Sequence, residues 1–405
     1  MKVAIVHDWL VASGDAEKVL EQIIECFPDA DLFSLVDFLE DRRPLGGKSV
    51  TTSFIQRLPF ARRHYRAYLP LMLRAIEQFD LSGYDLIITS SSALAKGVLV
   101  GPDQTHVSYV HSPLSFAWDL QHQYLREANL THGPKSWAAR AWLHYLRGWD
   151  TRSANGVDRL IASSHCGARR MMKAYRRDAA VIPPPVDVRQ FELCAQKDDF
   201  YLSVSRMVPG KRIDLIVETF NATPHRKLVV IGDGPQMAAM RAKAGPNVTI
   251  LGAQPCEVLK DHLQRARAFV CAAEADFGIV PLEAQACGTP VIAFGKGDAL
   301  EMVVPVGDAH PTGLYFGCQT VGSMRDAIDR FERLREPITP AACRANAQRF
   351  SAAVFRRAFM AEVTRTILAA GQRQRLGTVE RGEHDLTAQT LGWPGKSAST
   401  SSGGR

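Results

Sequence analysis

Ala273-Glu274-Ala275-Asp276-Phe277-Gly278-Ile279-Val280-Pro281-Leu282-Glu283-Ala284-Gln285-Ala286-Cys287-Gly288-Thr289-Pro290-Val291-Ile292-Ala293 reads as a buried strand ending in an acidic, glycine-containing turn. A short helix carrying Glu283 follows, and then a Gly288-Thr289-Pro290 turn into another strand. In an open α/β sheet, ligands sit in the crevice outside the carboxyl ends of the strands, where this turn and helix start lie. A carboxylate held there suits the hydroxyls of a sugar or ribose. A lone Glu would equally serve as a helix cap or a solvated side chain.

Outward from this stretch, short β-branched runs alternate with helical ones. They fall at 3–9, 86–90, 106–112, 159–164 and 180–182, and again at 200–205, 227–232, 248–252, 268–273 and 290–294. Buried strands alternating with helices predict parallel sheets covered on both faces. Between the two series stands Pro183-Pro184-Pro185, which resists helix and sheet alike and marks a boundary. The expected organisation is α/β, with two Rossmann-like doubly wound domains, 1–185 and 186–352, facing each other across a cleft. Phe355, Phe359 and Val363 have helical spacing, so a last helix is expected over 353–370. Large apolar residues thin out from Gly371, and 371–405 is expected to be a disordered tail.

The 405 residues suffice for two domains of ordinary size, and 46% hydrophobic with 22% charged residues is the composition of a globular protein. No run reaches the roughly 18 apolar residues of a membrane span. The first residues read as a strand, not a signal peptide. The eight cysteines include no Cys-x-x-Cys pair, so buried reduced thiols in a cytosolic protein are expected. No His and Cys cluster suggests a metal, and no cofactor is expected.

The net charge of +7 asks for an acidic partner. Zinc fingers, aromatic RNA-binding signatures and long basic tails are all missing, so nucleic acid is not expected. Residues 54–74 interleave arginines with Phe54, Phe60, Tyr65, Tyr68 and Leu71. That is the pattern of a surface-lying amphipathic element on an anionic membrane, and also that of a helix face with ordinary core contacts.

Three further segments each place a loop after a strand. Gly14, between the first strand and a helix, suits close approach of backbone amides to a phosphate. Gly232-Asp233-Gly234 is a second glycine turn, without the third glycine of a dinucleotide fingerprint. Arg206 and Lys211, five positions apart, offer two cations to an anion, although both would also suit an ordinary surface.

The 273–293 stretch resembles the signature of retaining glycosyltransferases of family 4, which have the GT-B fold. That signature has two carboxylates eight positions apart around Phe-Gly and Pro, then Glu-Ala-x-Ala-x-Gly-x-Pro-Val-Ile-Ala. The segment Tyr109-Val110-His111-Ser112-Pro113-Leu114-Ser115-Phe116-Ala117-Trp118-Asp119 resembles the His-x-Pro and Ala-Trp-Asp pattern of a bacterial exopolysaccharide, mannosyltransferase-like branch.

The resemblance implies sugar transfer from a nucleotide diphosphate sugar, GDP-mannose first and a UDP-sugar second, to a lipid-linked glycan. The expected place is the cytoplasm, peripheral on the inner membrane face. It assigns Glu283 to the ribose hydroxyls, with Phe277, Gly278, Ile279, Gly14, Gly232 and Gly234 completing the donor site. His111 would line the donor sugar, and Arg206 with Lys211 would neutralise the diphosphate. Trp118 and Asp119 would lie on the acceptor side. Two departures stand out. The first carboxylate falls on Ala275, leaving Glu274, one position early, either to substitute or to point away. The second glycine usual before Ala-Glu-Lys is Asp15. A non-catalytic member that binds nucleotide or membrane is the alternative these departures raise.

Overall fold

The computed structural model describes residues 1–390 other than Ser13 and 275–277, with side chains described to residue 372. Thirteen strands form two sheets. The first contains β1 (Val3–His7), β2 (Asp31–Ser34), β3 (Val50–Thr52), β4 (Leu86–Ser91), β5 (Thr105–Val110), β6 (Arg159–Ala162) and β7 (Ala179–Val181). The second contains β8 (Tyr201–Val204), β9 (Leu228–Ile231), β10 (Val248–Gly252), β11 (Ala268–Cys271), β12 (Val291–Phe294) and β13 (Gly313–Phe316). Their orders are β3-β2-β1-β4-β5-β6-β7 and β10-β9-β8-β11-β12-β13, and every strand pair within them is parallel. Both are doubly wound Rossmann-like sheets whose order reverses beside the first strand, at β1/β4 and at β8/β11.

Alternation along the strands sorts the core. Ala4, Val6 and Ile87 face Met72, Ile76, Leu143 and Trp149, whereas Ile5, Ile88, Val107 and Tyr109 face Leu20, Ile23 and the last helix. In the second sheet Leu202, Phe269 and Val291 pack on Leu282 and Ala286, while Tyr201, Val230 and Ile292 pack on Ile216, Phe220 and Ile328. β4 and β5 are buried throughout, which is why they read as continuous apolar or small runs.

Ile182 lies in the first domain's core and Val186 in the second's, with the three prolines between. The chain returns at the other end, where Val186 bridges Ser351 and the helix Ala352–Thr390 begins. Phe355 and Phe359 stack 5.7 Å apart at 9°, and Phe355 meets Tyr109 edge-on. Arg356 bonds Gln22 and Glu25, and Arg159 pairs with Glu362. Residues 371–390 continue this helix. The remainder, 391–405, lies outside the described residues.

Segment 54–74 is not one amphipathic element. It breaks into the 3-10 turns Phe54–Arg57 and Tyr65–Tyr68 and the short α-helices Ala61–His64 and Leu69–Ile76. Pro59, the left-handed Phe60 (φ 56°) and Pro70 interrupt it. The eight cysteines are free thiols, of which Cys287 and Cys343 are buried and Cys256 and Cys318 exposed, so the expectation of buried thiols holds for few of them.

Phe359 is fully buried where the last helix meets the first sheet. Phe359→Ala is expected to lower unfolding free energy by about 3–5 kcal/mol in urea titrations; a loss below about 1 kcal/mol would mean the helix adds little to that core.

Candidate functional site

The carboxyl ends of the two sheets face each other. At the end of β1, the Asp8 carboxylate accepts from the amides of Ser92, Ala93, Leu94 and Ala95 at 2.5–2.8 Å. Four charge-assisted bonds hold the loop after β4 against β1. Sequence reasoning missed this residue. Its only signal was an acidic side chain directly after a buried strand.

Beyond Asp8 the chain turns at Gly14 into the helix Asp15–Cys26. Gly14 is extended (φ −147°, ψ −166°), so its backbone does not demand glycine. From the first turn of this helix Lys18 reaches across the cleft to Glu283 Oε1, at 2.5 Å. Glu283 is buried on the short helix Val280–Ala286, with its carboxylate toward the opposite domain. Burial pulls the Lys18 ammonium down, but the charge and hydrogen bond of Glu283 outweigh it and leave Lys18 raised. Asp15 is open to the cleft yet flanked by both domains, and its carboxylate lies 3.5 Å from the Ile279 amide. Burial raises the Asp15 carboxyl above its ordinary value; Lys18 opposes that and Glu283 adds to it, with Lys211 a smaller opposing charge.

Lys211 closes the turn Pro209–Lys211 after β8 and is half-buried, while Arg206 is exposed. The two glycines of 232–234 are needed where they stand. A Cβ on Gly232 (φ 137°) would lie 1.9 Å from the Ser205 carbonyl oxygen, and one on Gly234 (φ 156°) would lie 2.5 Å from that of Met207. Met207 N donates to the Asp233 carbonyl at 2.8 Å. The glycine turn therefore packs on the loop that carries Arg206, which is a scaffold role that the reading of direct nucleotide approach did not include.

His111 follows β5 and is half-buried at the same edge. Its Nε2 lies 2.9 Å from Ser90 Oγ, which lies 3.1 Å from His7 Nδ1. Burial, with His7 beside it, holds the His111 pKa down to about 3, so its ring is neutral at physiological pH. Ser163 Oγ donates to the His111 carbonyl at 2.9 Å. Two residues on, the amide of His165 donates to Glu301 of the second domain at 3.0 Å. His111 thus sits beside contacts that bridge the domains.

Trp118 is half-buried in the turn after β5. Its indole N–H donates to Asp150 Oδ2 at 2.8 Å, and Asp150 is buried against Lys96 at 2.5 Å. An indole N–H needs an acceptor, and a buried Asp-Lys pair supplies it. Asp119 pairs with Arg170 at 3.0 Å. Glu274 is exposed and Gly278 half-buried, and Ile279 heads the Glu283 helix. Phe277 and the Ala275 position lie outside the described residues. The structure thus gathers Lys18, Glu283, Asp15, Ile279 and Lys211 around one cleft, with Trp118 held to Asp150 of the first domain.

A family model described as glycosyl transferases group 1 matches residues 187–350, and one described as glycosyltransferase family 4 matches residues 16–190. A D-inositol 3-phosphate glycosyltransferase of Mycobacterium leprae is 29% identical over 204 residues, 44% of this chain and 46% of that protein. A GDP-mannose-dependent monoacylated alpha-(1-6)-phosphatidylinositol monomannoside mannosyltransferase of Corynebacterium glutamicum is 31% identical over 217 residues, 46% of this chain and 55% of that protein. The chain spans about half the length of the curated relatives it matches. Among solved structures, Anabaena HepE in complex with UDP and glucose superposes with TM-score 0.66 at 18% identity, over 90% of this chain and 99% of that one. Sucrose-phosphate synthase of Thermosynechococcus elongatus does so with TM-score 0.65 at 18% identity, over 91% and 100%. One glycosyltransferase family model thus matches each of the two domains, and along its length the chain shares the GT-B fold of these solved structures.

Proposed function

We propose that the chain transfers a hexose, with retention, from a nucleotide diphosphate sugar to a lipid-linked glycan on the inner face of the membrane in cell-surface polysaccharide synthesis. The observation that carries this reading is the buried Glu283 carboxylate held at the cleft, facing Lys18 at 2.5 Å on the opposite domain. Ribose hydroxyls replace Lys18 as its hydrogen-bond donors when the donor enters. Arg206 and Lys211 stabilise the diphosphate as it gathers negative charge on departure. The bond from the acceptor oxygen to the anomeric carbon forms on the face from which the phosphate leaves, and the acceptor proton passes to that phosphate. No protein nucleophile is assigned.

GDP-mannose is our first donor, supported by the name of the corynebacterial relative, and a UDP-sugar the second, supported by the HepE structure in complex with UDP-glucose. For the membrane, Phe54, Phe60 and Leu71 are exposed among the exposed Arg57, Arg63, Arg66 and Arg74. Among the described residues no helix is long and apolar enough to cross a membrane. A non-catalytic reading is favoured by one observation, that Asp15 and Lys18 occupy the Ile279 amide and Glu283.

A thermal-shift panel with GDP, UDP, ADP and their sugar conjugates separates the two readings. A ligand at about a hundred times its Kd adds roughly 2.7 kcal/mol of stability, and the enzyme reading expects a selective shift with GDP and GDP-mannose. No shift with any nucleotide favours the non-catalytic reading. Lys211→Ala is expected to cut transfer, measured with radiolabelled donor, by about two to three orders of magnitude; near-normal turnover removes it from the diphosphate site. Flotation should carry the protein with anionic but not neutral liposomes, and Phe60→Ser should weaken it; equal behaviour with both vesicles removes the membrane role.

A further inference from the structure

His7 and Ser90 lie in β1 and β4 and His111 just past β5, and the parallel pairing of these strands brings them into one row. The row runs from His111 Nε2 to Ser90 Oγ at 2.9 Å, on to His7 Nδ1 at 3.1 Å, and ends where His7 Nε2 faces Glu17 Oε1 at 3.7 Å. Glu17, His7 and Ser90 are buried. His111 is half-buried, and its Nδ1 meets no protein partner among the described residues.

Such a row has a direction. The Glu17 carboxylate repels a lone pair on the facing His7 nitrogen and attracts an N–H, so His7 turns its N–H at Nε2 toward Glu17 and offers Nδ1 as acceptor. Ser90 has one hydroxyl proton, which goes to His7 Nδ1. Its oxygen is then left to accept, and a hydrogen bond at the last link requires His111 to donate from Nε2. A neutral imidazole protonated at Nε2 presents a bare Nδ1.

We propose that Glu17, His7 and Ser90 are positioning residues that fix His111 as a hydrogen-bond acceptor at the cleft, selecting a donor sugar with a free hydroxyl at the position it meets. The identity of the ligand rests on the nucleotide-sugar reading; the tautomer does not. A sugar lacking that hydroxyl, or O-alkylated there, forfeits the bond and leaves the ring nitrogen unpaired.

The test reads the tautomer directly. In protein labelled with nitrogen-15 at its twelve histidines, the His111 signals are identified by their loss in His111→Gln. Nitrogen shifts without ligand should show protonated Nε2 and bare Nδ1. Ser90→Ala should give a tautomer mixture, Ser90→Thr should keep the native pattern, and Glu17→Gln, which removes the charge while filling the site, should move His111 as Ser90→Ala does. Protonated Nδ1 in the native chain, or a His111 pattern unmoved in both Ser90→Ala and Glu17→Gln, overturns the proposal.

Binding adds a second arm. Ser90→Ala should weaken a nucleotide sugar about tenfold while leaving the nucleoside diphosphate alone unchanged. Equal weakening of both would make Ser90 a structural residue and overturn its positioning role. If the tautomer holds but no nucleotide sugar binds the native chain, the donor reading fails and the row stands.

Discussion

Every strand pair in both sheets is parallel, and a parallel pair can be joined only by a crossover on the sheet's face. All strand ends of one polarity therefore collect along one edge, and the short loops leaving it have no neighbouring strand to bond. The molecule sets two such edges against each other. Asp8 and the turn at 232–234 are two answers to one problem, how to hold loop backbone in place beyond the end of a sheet. Asp8 does it with a carboxylate, and the glycines do it by letting two turns touch.

The charges at this edge differ in exposure, and with it in strength. Asp150 with Lys96 is closed off from solvent, so removing either leaves a buried charge unpaired. Lys18 with Glu283 is different, since the Lys18 side chain is 41% exposed and that of Glu283 6%. Water screens one partner, which makes this bridge between domains easy to exchange for hydroxyl donors. Deep pairs fix the first domain, and a shallow pair closes the cleft.

Much of the fold was legible because buried parallel strands are apolar or small on both faces. β3 and β13 were not among the expected strands; β3 has three residues, none of them buried, and leaves no such run. At the site, Glu283 and Lys211 lay in motifs longer than chance would give. The row from Glu17 to His111 was not legible, because Ser90 stands 83 residues from His7 and only strand register joins them. The Trp118 bond to Asp150 was hidden for the same reason, since Asp150 lies 32 residues on in the helix Pro134–Asn155. Glycines 232 and 234 were seen, but half their purpose was hidden until the Ser205–Met207 loop lay against them.

The last helix carries a consequence for synthesis. Phe355, Phe359 and Val363 complete the core around Leu20, Tyr109 and Ile182, yet they leave the ribosome about 180 residues after Ile182, some 10–35 s later at ordinary elongation rates. Until then the first domain has its whole sheet and an uncovered apolar face. The second domain must be made before the first can close. The nascent first domain thus presents chaperones with a long-lived greasy surface, and a chain released early would keep it open for good.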